Sequence, residues 1–193
     1  MRWDELFADI EGRLEHELDL ESQELAAEEE RLRVGRLALR DRVVAMGRGG
    51  DPVSLVLVDG DVVALRLGSA GRDWVAGEVT VGVARHAVVV PLAAIAAVLP
   101  ERDQLERGLG AADVEPLPDL AARLGLAFVL RDLCRRRTGV ELRTRAGVVH
   151  GTIDRVGRDH LDLAEHEAGE PRRDRVVRRI RLVPFDALLR IRA

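Results

Sequence analysis

The hydrophobic positions divide the chain into a helical first part and two strand-rich stretches. From Trp3 to about Met46 the apolar residues follow helical spacing. The first turns carry an apolar stripe at Trp3, Leu6, Phe7, Ile10 and Leu14. A line of leucines then recurs every seven residues at Leu18, Leu25, Leu32 and Leu39. The companion heptad positions are polar, so a helix that rests one leucine line on the rest of the protein is favoured over a zipper. Breaks near Asp19–Ser22 or at Gly35 would divide it into two or three pieces.

Short runs of alternating or β-branched residues follow the helical part and predict strands. The first stretch predicts five strands, over residues 52–58, 62–67, 74–79, 85–90 and 94–99. Asp59-Gly60-Asp61 has the composition of a hairpin turn between the first two strands, which explains both aspartates. Residues 101–117 are predicted to form a polar linker. Asp119 is then predicted as the N-cap of a helix that runs to about Arg137.

The second stretch repeats this order. It predicts strands over residues 140–145, 148–156, 160–164, 175–183 and 187–191, with a charged loop from Glu165 to Asp174. Gly71-Arg72-Asp73-Trp74 recurs as Gly157-Arg158-Asp159-His160, and Val90-Pro91-Leu92 recurs as Val183-Pro184-Phe185. Leu39-Arg40-Asp41 recurs as Leu130-Arg131-Asp132. A period of about ninety residues is too long for a solenoid and indicates two copies of one small domain.

A helix followed by five short, bent antiparallel strands resembles the Sm-like fold of the Sm, LSm and Hfq proteins. The similar segments are Gly151-Thr152-Ile153, residues 156–163 and residues 90–100. The resemblance implies a mainly β protein, in which a long amphipathic helix precedes two tandem five-stranded Sm-like (SH3-like) barrels, each with its own leading helix. The expected domains are an acidic helix (1–38), barrel 1 (39–100), a linker (101–118) and a helix plus barrel 2 (119–193). The PRC-barrel, which shares the Val-Pro-Leu ending, is a second resemblance.

The resemblance does not bring a uridine pocket with it. The Tyr-Lys-His group of Hfq would fall near residues 90–92 or 183–185, where Val-Pro-Leu and Val-Pro-Phe stand instead. The asparagine with which Sm proteins hold a base is missing as well, because the chain contains none. Base recognition of the family's kind is therefore not expected.

Charge is distributed unevenly along the chain. Residues 1–38 carry 5 arginines and 12 acidic residues, a net of −7, and residues 39–127 carry 9 and 12, a net of −3. Residues 128–193 carry 16 and 10, a net of +6. Every basic residue is arginine, which codon bias in a GC-rich genome explains more simply than selection for guanidinium chemistry. The acidic helix and the basic last part could pair with each other, within one chain or between copies.

The arginines of the last part are the candidate phosphate contacts. They occur at a helix end, on one face each of two strands and in the charged loop. If they converge, they would neutralise phosphates and give salt-dependent binding of RNA or DNA. The alternative is that they serve a helix dipole and protect edge strands from aggregation. The candidates are Arg135, Arg136, Arg137, Arg143, Arg145, Arg172, Arg173, Arg175, Arg179 and Arg181.

Catalysis finds little support in the sequence. His150, His160 and His166 have no metal-ligand spacing, and Cys134 has the helical spacing of a small core residue. Asp73 and Asp159 follow Gly-Arg in both stretches, which favours a role in the turn over an active site. No catalytic residue, metal site or cofactor is predicted. The lone cysteine and the lack of a signal peptide indicate a cytoplasmic protein without a membrane partner.

We therefore expect a non-enzymatic bacterial binding or assembly module. Its first expected ligand is RNA or DNA, bound by the arginines of the second barrel. The alternative is a protein–protein adaptor or oligomerisation scaffold without nucleic acid. Such a scaffold would bind a partner or a second copy through the N-terminal helix and the edge strands of the barrels.

Overall fold

Ten strands form one antiparallel sheet in the computed structural model, which describes residues 22–113 and 120–193 of the chain. The chain divides between Ala38 and Leu39 into two units. In the first unit, residues 22–35 form helix α1, which ends at the expected break at Gly35. The apolar stripe over residues 3–14, the leucine at position 18 and the possible break near residues 19–22 lie wholly or largely outside the described residues.

The described part of the second unit holds three α-helices, four short 3-10 helices and all ten strands. The α-helices are α2 (Leu39–Gly47), α3 (Arg102–Leu109) and α4 (Leu126–Arg135). The first five strands are β1 (Val53–Leu57), β2 (Val62–Ala70), β3 (Trp74–Val81), β4 (Ala84–Pro91) and β5 (Ile95–Leu99). The last five are β6 (Gly139–Thr144), β7 (Gly147–Val156), β8 (His160–Glu165), β9 (Arg179–Pro184) and β10 (Leu188–Arg192).

The strand order across the sheet is β5-β1-β2-β3-β4-β10-β6-β7-β8-β9. Strands β1–β5 with α2 and α3 are called the first half below, and β6–β10 with α4 the second half. Each half has its last strand next to its first. The halves meet where β4 pairs with β10, with Val89 opposite Ile191 and Val88 opposite Arg192. Strands β5 and β9 are the two edges of the sheet.

The expected pair of tandem closed five-stranded barrels is wrong, because the ten strands form one continuous, open sheet. Strand β4 uses its second edge to bond β10 of the other half, so neither half is a separate closed sheet. Alternation of apolar and polar residues predicts which side chains are buried. It carries no information about which edge a strand uses, because that choice depends on backbone groups far apart in the sequence.

The positions of the strands themselves agree with the hydrophobic pattern. In β1, for example, the alternate residues Val53, Leu55 and Leu57 are buried. Residues 101–117 were expected to be a linker, but they contain α3. That helix begins with a capping box, in which Glu101 N–H donates to Gln104 Oε1 at 3.0 Å. Capping of this kind stabilises a helix that has few apolar residues.

The helix expected after the linker is shorter than predicted. Its predicted N-cap at position 119 lies outside the described residues. Helix α4 begins at Leu126 with Gly125 as its N-cap, and it ends at Arg135. A separate short helical turn covers Leu120–Arg123.

Two hydrophobic cores lie among the described residues of the second unit, and each includes one buried side chain from the opposite half. Val43 and Met46 of α2 pack in the first core, together with Leu189 of β10. Leu130 of α4 packs in the second core, together with Trp74 of β3. Leu189 is fully buried and Trp74 nearly so. This exchange ties the halves together, because separating them would expose both side chains to water.

The repeated Gly-Arg-Asp segments form the same turn in both halves. Gly71 N–H donates to Trp74 O at 2.9 Å, and Gly157 N–H donates to His160 O at 2.8 Å. The Trp74 indole Nε1–H also donates to Leu124 O at 3.0 Å. A Cβ on Gly71 would lie 2.1 Å from that Nε1 atom, so only glycine fits at this close approach.

Candidate binding surfaces

A group of ion pairs, called the junction network here, connects the halves. Its members are Asp59, Asp61, Glu141, Arg143, Arg190 and Arg192. Arg143 Nε donates to Asp59 Oδ2 at 2.7 Å, and Arg143 Nη1 lies 3.4 Å from Asp61 Oδ2. Arg190 Nη1 donates to Asp61 Oδ2 at 3.2 Å. The Asp59-Gly60-Asp61 turn, whose aspartates the sequence predicts to be turn residues, therefore also binds two arginines of the other half.

Glu141 completes the junction network on the second half. Its side chain is 12 % exposed and pairs with Arg192 and, at 3.6 Å, with Arg190. Burial alone would raise the pKa of Asp59, but the hydrogen bond from Arg143 holds that pKa below its ordinary value. The same bond raises the pKa of Arg143. Both groups therefore stay charged at neutral pH, and Arg143 is already neutralised inside the molecule.

The outer edges of the sheet expose apolar side chains. On β9, Leu182 is 65 % exposed and Ile180 is 48 % exposed. On β5, Leu99 is 55 % exposed. The two arginines of β9 share one face of the strand, as the alternation predicts, and both pair with Glu165 of the neighbouring strand. Side chains on both faces of β9 are therefore exposed.

A signal for this edge was present in the sequence. Leu182 and Val183 are consecutive, so they point to opposite faces of β9, and Val183 is buried. A strand with apolar residues on both faces is typical of one that is covered on both sides.

The outer edges correspond to the strands that meet at the junction. The turn glycines Gly60 and Gly147 and the Val-Pro segments at 90–91 and 183–184 set the register between the halves. In that register β9 corresponds to β4, and β5 corresponds to β10. Positions of the junction network correspond as follows: Asp59 to Ala146, Asp61 to Val148, Arg143 to Val56, Arg190 to Ala97, Arg192 to Leu99 and Glu141 to Ser54. Five of the six corresponding positions are thus apolar, and two of these five, Ala97 and Leu99, lie on the edge strand β5.

Most of the other predicted arginines are paired with carboxylates. Arg135 and Arg136 share Asp132, at 2.6 Å and 2.7 Å. Arg179 and Arg181 share Glu165, at 3.2 Å and 3.0 Å. Pairs of this kind satisfy the guanidinium groups inside the molecule.

Arg172 is bound most tightly of the predicted set. Its Nε and Nη2 donate to the two carboxylate oxygens of Asp154 at 2.7 Å and 2.8 Å, and its Nη1 donates to Asp174 at 2.8 Å. The Arg172 hydrogen bond holds the pKa of Asp154 below its ordinary value, and the nearby charges of Arg172, Arg137 and Arg155 lower it further. Three arginines therefore gather around one carboxylate.

The remaining predicted arginines make no ion pair within residues 22–113 and 120–193. They are Arg137, Arg145, Arg173 and Arg175. All four are exposed. Of the ten candidates, then, the structure leaves these four with guanidinium groups that a ligand could pair without breaking an internal contact.

The residues considered for catalysis have structural partners. His166 is buried, with its Nε2 2.9 Å from Thr152 Oγ1 and its Nδ1 2.9 Å from Glu167 O. The ring Nδ1 of His160 lies 2.9 Å from Asp159, and His150 lies 4.0 Å from a carboxylate of the junction network.

The two repeated aspartates have different roles. Asp73 Oδ1 accepts a hydrogen bond from Leu126 N–H at 2.7 Å and so helps to cap α4, whereas Asp159 bonds a histidine ring. Cys134 is half-buried against the second core, and its Sγ–H donates to Asp154 O at 3.4 Å. No group of three side chains suited to a metal ion occurs among the described residues.

Comparison with protein-family models, with curated proteins and with solved structures finds no match to this chain. Within the described part of the chain, no helix is both long enough and apolar enough to span a bilayer.

Proposed function

We propose that this protein is an assembly module whose copies join head to tail. Strand β9 of one copy pairs with β5 of the next, in the arrangement that β4 and β10 already have within one chain. The observation that supports this most directly is the exposure of Leu182 and Leu99 on the two edges that correspond to the paired strands. Edge strands with free backbone groups and apolar side chains are templates for such pairing.

The junction within the chain supplies the register for the pairing between chains. Val89 lies opposite Ile191, and Val88 lies opposite Arg192. The corresponding pairs between copies are Leu182 with Val98 and Arg181 with Leu99. Side chains opposite each other on neighbouring strands contact directly, so both exposed leucines become covered.

The β4–β10 junction within a chain and the proposed β9–β5 junction between chains have different side-chain chemistry, which prevents one from forming in place of the other. The junction within the chain joins acidic and basic groups, whereas the outer edges offer apolar residues at most of the same positions. A mispaired edge would leave a charged group such as Asp59 or Arg143 against an apolar surface without its partner. Burying an unpaired charge costs several kcal/mol. Pairing of β9 with β5 between copies, and of β4 with β10 within a chain, is therefore favoured over mixed pairings.

This association is heterologous, because the two contact surfaces differ. Each added copy leaves one β9 and one β5 free, so growth continues until the rotation between copies closes a ring. The proposal therefore predicts a concentration-dependent oligomer with more than two copies as its end point.

The experiment blocks one edge at a time and then mixes the blocked proteins. Leu182→Lys places a charge on β9, and Leu99→Lys places one on β5. Sedimentation velocity of each variant alone should show a monomer across a concentration series, while the wild type associates. An equimolar mixture should form a dimer and nothing larger, because one free β9 meets one free β5.

Val83→Lys is the matched control, because Val83 is fully exposed at the β3–β4 turn and lies on neither edge. This variant should sediment as the wild type does. A wild-type protein that stays monomeric at every concentration would contradict the proposal. An oligomer that survives both edge variants but is lost on deletion of residues 1–38 would place assembly in the N-terminal helix instead.

A further inference from the structure

A second surface, separate from the sheet edges, gathers arginines around Asp154. It is called the Asp154 surface below and consists of the C-terminal end of α4, the end of β7 and the loop between β8 and β9. Cys134 of α4 bonds the Asp154 carbonyl on β7, and Arg172 of the loop bonds the Asp154 carboxylate. These contacts hold the three elements together, so their charged side chains share one region of the protein.

Positive charge exceeds negative charge on these three elements. Their arginines are Arg135, Arg136, Arg137, Arg155, Arg172, Arg173, Arg175 and Arg178. The carboxylates on or beside these elements are Asp132, Asp154, Asp162, Glu167, Glu170 and Asp174, and all of them except Glu170 form an ion pair with at least one of these arginines. Eight cations against six anions leave a surplus of two positive charges in one region.

Arg137 occupies a backbone conformation that favours glycine. Its φ is 52°, in the left-handed region. Arg137 N–H donates to Cys134 O at 3.0 Å and Thr138 N–H donates to Leu133 O at 3.2 Å, the bonds that close the end of a helix in a Schellman motif. A side chain at this position is strained, and Arg137 gains no ion pair among the described residues in return. The only internal interaction of its charge that the described residues show is a longer-range attraction to Asp154, which leaves the guanidinium group available to a ligand.

We propose that the Asp154 surface binds a chain of phosphate groups, with Arg137 as a direct contact. Arg137, Arg173 and Arg175 have no carboxylate partner within the described ranges, so a phosphate can pair with each of them without displacing one. Guanidinium groups bind phosphate oxygens through paired N–H donors. The proposed contacts are guanidinium groups that pair with phosphate oxygens and not with base edges, so binding should depend on phosphates and salt rather than on base sequence.

The experiment uses Arg137→Gly, which removes the guanidinium and relaxes the backbone at the same position. Affinity for a labelled single-stranded oligonucleotide of mixed sequence is measured by fluorescence anisotropy over a salt series. Each phosphate contact contributes about 0.7 to the slope of log K against log salt, so losing one weakens binding about fivefold near 0.1 M salt. Thermal unfolding of the same variant should show an unchanged or raised Tm, because glycine fits this conformation better.

Arg48→Ser is the matched control, because Arg48 is exposed in the first half and makes no ion pair with a described residue. It removes the same charge and should change the affinity less than twofold. Titration of the oligonucleotide and of inorganic polyphosphate, each alone and in competition, separates the two sources of phosphate. Binding of the oligonucleotide alone indicates a nucleic-acid backbone, binding of polyphosphate alone indicates an inorganic chain, and mutual displacement supports a site for phosphate chains of either origin.

Two results would overturn the proposal. One is that neither polymer binds at low salt. The other is that Arg137→Gly and Arg48→Ser weaken binding equally, since overall charge would then account for it. Sedimentation of Arg137→Gly should match the wild type, which separates this surface from the sheet edges.

Discussion

The ion pair between Asp59 and Arg143 is predicted to stabilise the contact between the two halves of the sheet. The perturbation is a double-mutant cycle of Asp59→Asn, Arg143→Gln and the two together. The cycle isolates the energy of the pair from other effects of each substitution. Asn has nearly the size of Asp, whereas Gln is shorter than Arg, and the double mutant cancels the packing change that each substitution causes on its own.

The structure sets the expected magnitude. The two charged side chains are 24 % and 29 % exposed and share a hydrogen bond of 2.7 Å. A hydrogen bond to a charged group contributes about 1.5–3 kcal/mol when buried, and a fully exposed ion pair about 0.2–1 kcal/mol. A pair that is mostly but not wholly buried lies between, at about 1–1.5 kcal/mol. Arg143 retains Asp61 at 3.4 Å after the Asp59 change, so the arginine is not left unpaired.

Urea unfolding at neutral pH measures the effect. With a slope of about 2 kcal/mol per molar urea, the expected coupling corresponds to a midpoint shift of about 0.5–0.75 M. The control cycle uses Glu78 and Arg85, which are 3.5 Å apart and 52 % and 72 % exposed, and it should give less than about 0.5 kcal/mol. A coupling for Asp59 and Arg143 no larger than that of the control would refute the reasoning.

Two further predictions concern stability. Gly71→Ala should cost about 2–4 kcal/mol, because its Cβ would lie 2.1 Å from Trp74 Nε1 and 2.4 Å from Leu124 O, whereas Gly110→Ala, with nothing within 4 Å, should be nearly neutral in urea unfolding. The lowered pKa of Asp154 means that the folded state keeps this carboxylate charged to a lower pH than the unfolded state does. Its stabilisation is therefore present above about pH 4 and lost as the pH falls through the lowered pKa, so the midpoint difference between wild type and Asp154→Asn should shrink between pH 7 and pH 3. An equal difference at both pH values would contradict that assignment.

Much of the local structure could be predicted from the sequence, because burial leaves a periodic trace. The buried alternation of β1 and the turn glycine at position 60 identify strand and turn directly. Helix α3 was not predicted because its stability depends on an N-terminal cap and on a buried polar residue rather than on an apolar stripe. That residue is Gln104, which donates to Pro52 O at 3.1 Å. The sequence alone does not show whether a glutamine such as Gln104 is buried or exposed.

The connections between strands and the binding surfaces could not be predicted in the same way. The β4–β10 pairing depends on backbone bonds between residues about one hundred positions apart, and apolar alternation is the same whichever edge is used. Six of the ten predicted arginines face carboxylates, and the partners of Arg143 and Arg190 come from a turn whose aspartates had a sufficient local explanation. Ion pairs and strand pairs between residues far apart in the sequence can be identified only from the folded structure.

Strand β5 ends at Leu99 and is followed directly by a proline. Because Pro100 has no N–H, the backbone bond that Ala193 N–H makes to Ala87 O at the inner contact has no counterpart on this side. The β9 strand of another copy can therefore form backbone hydrogen bonds with β5 over only a few residues. Copies joined by so few backbone bonds should exchange readily, because little has to be broken to separate one contact.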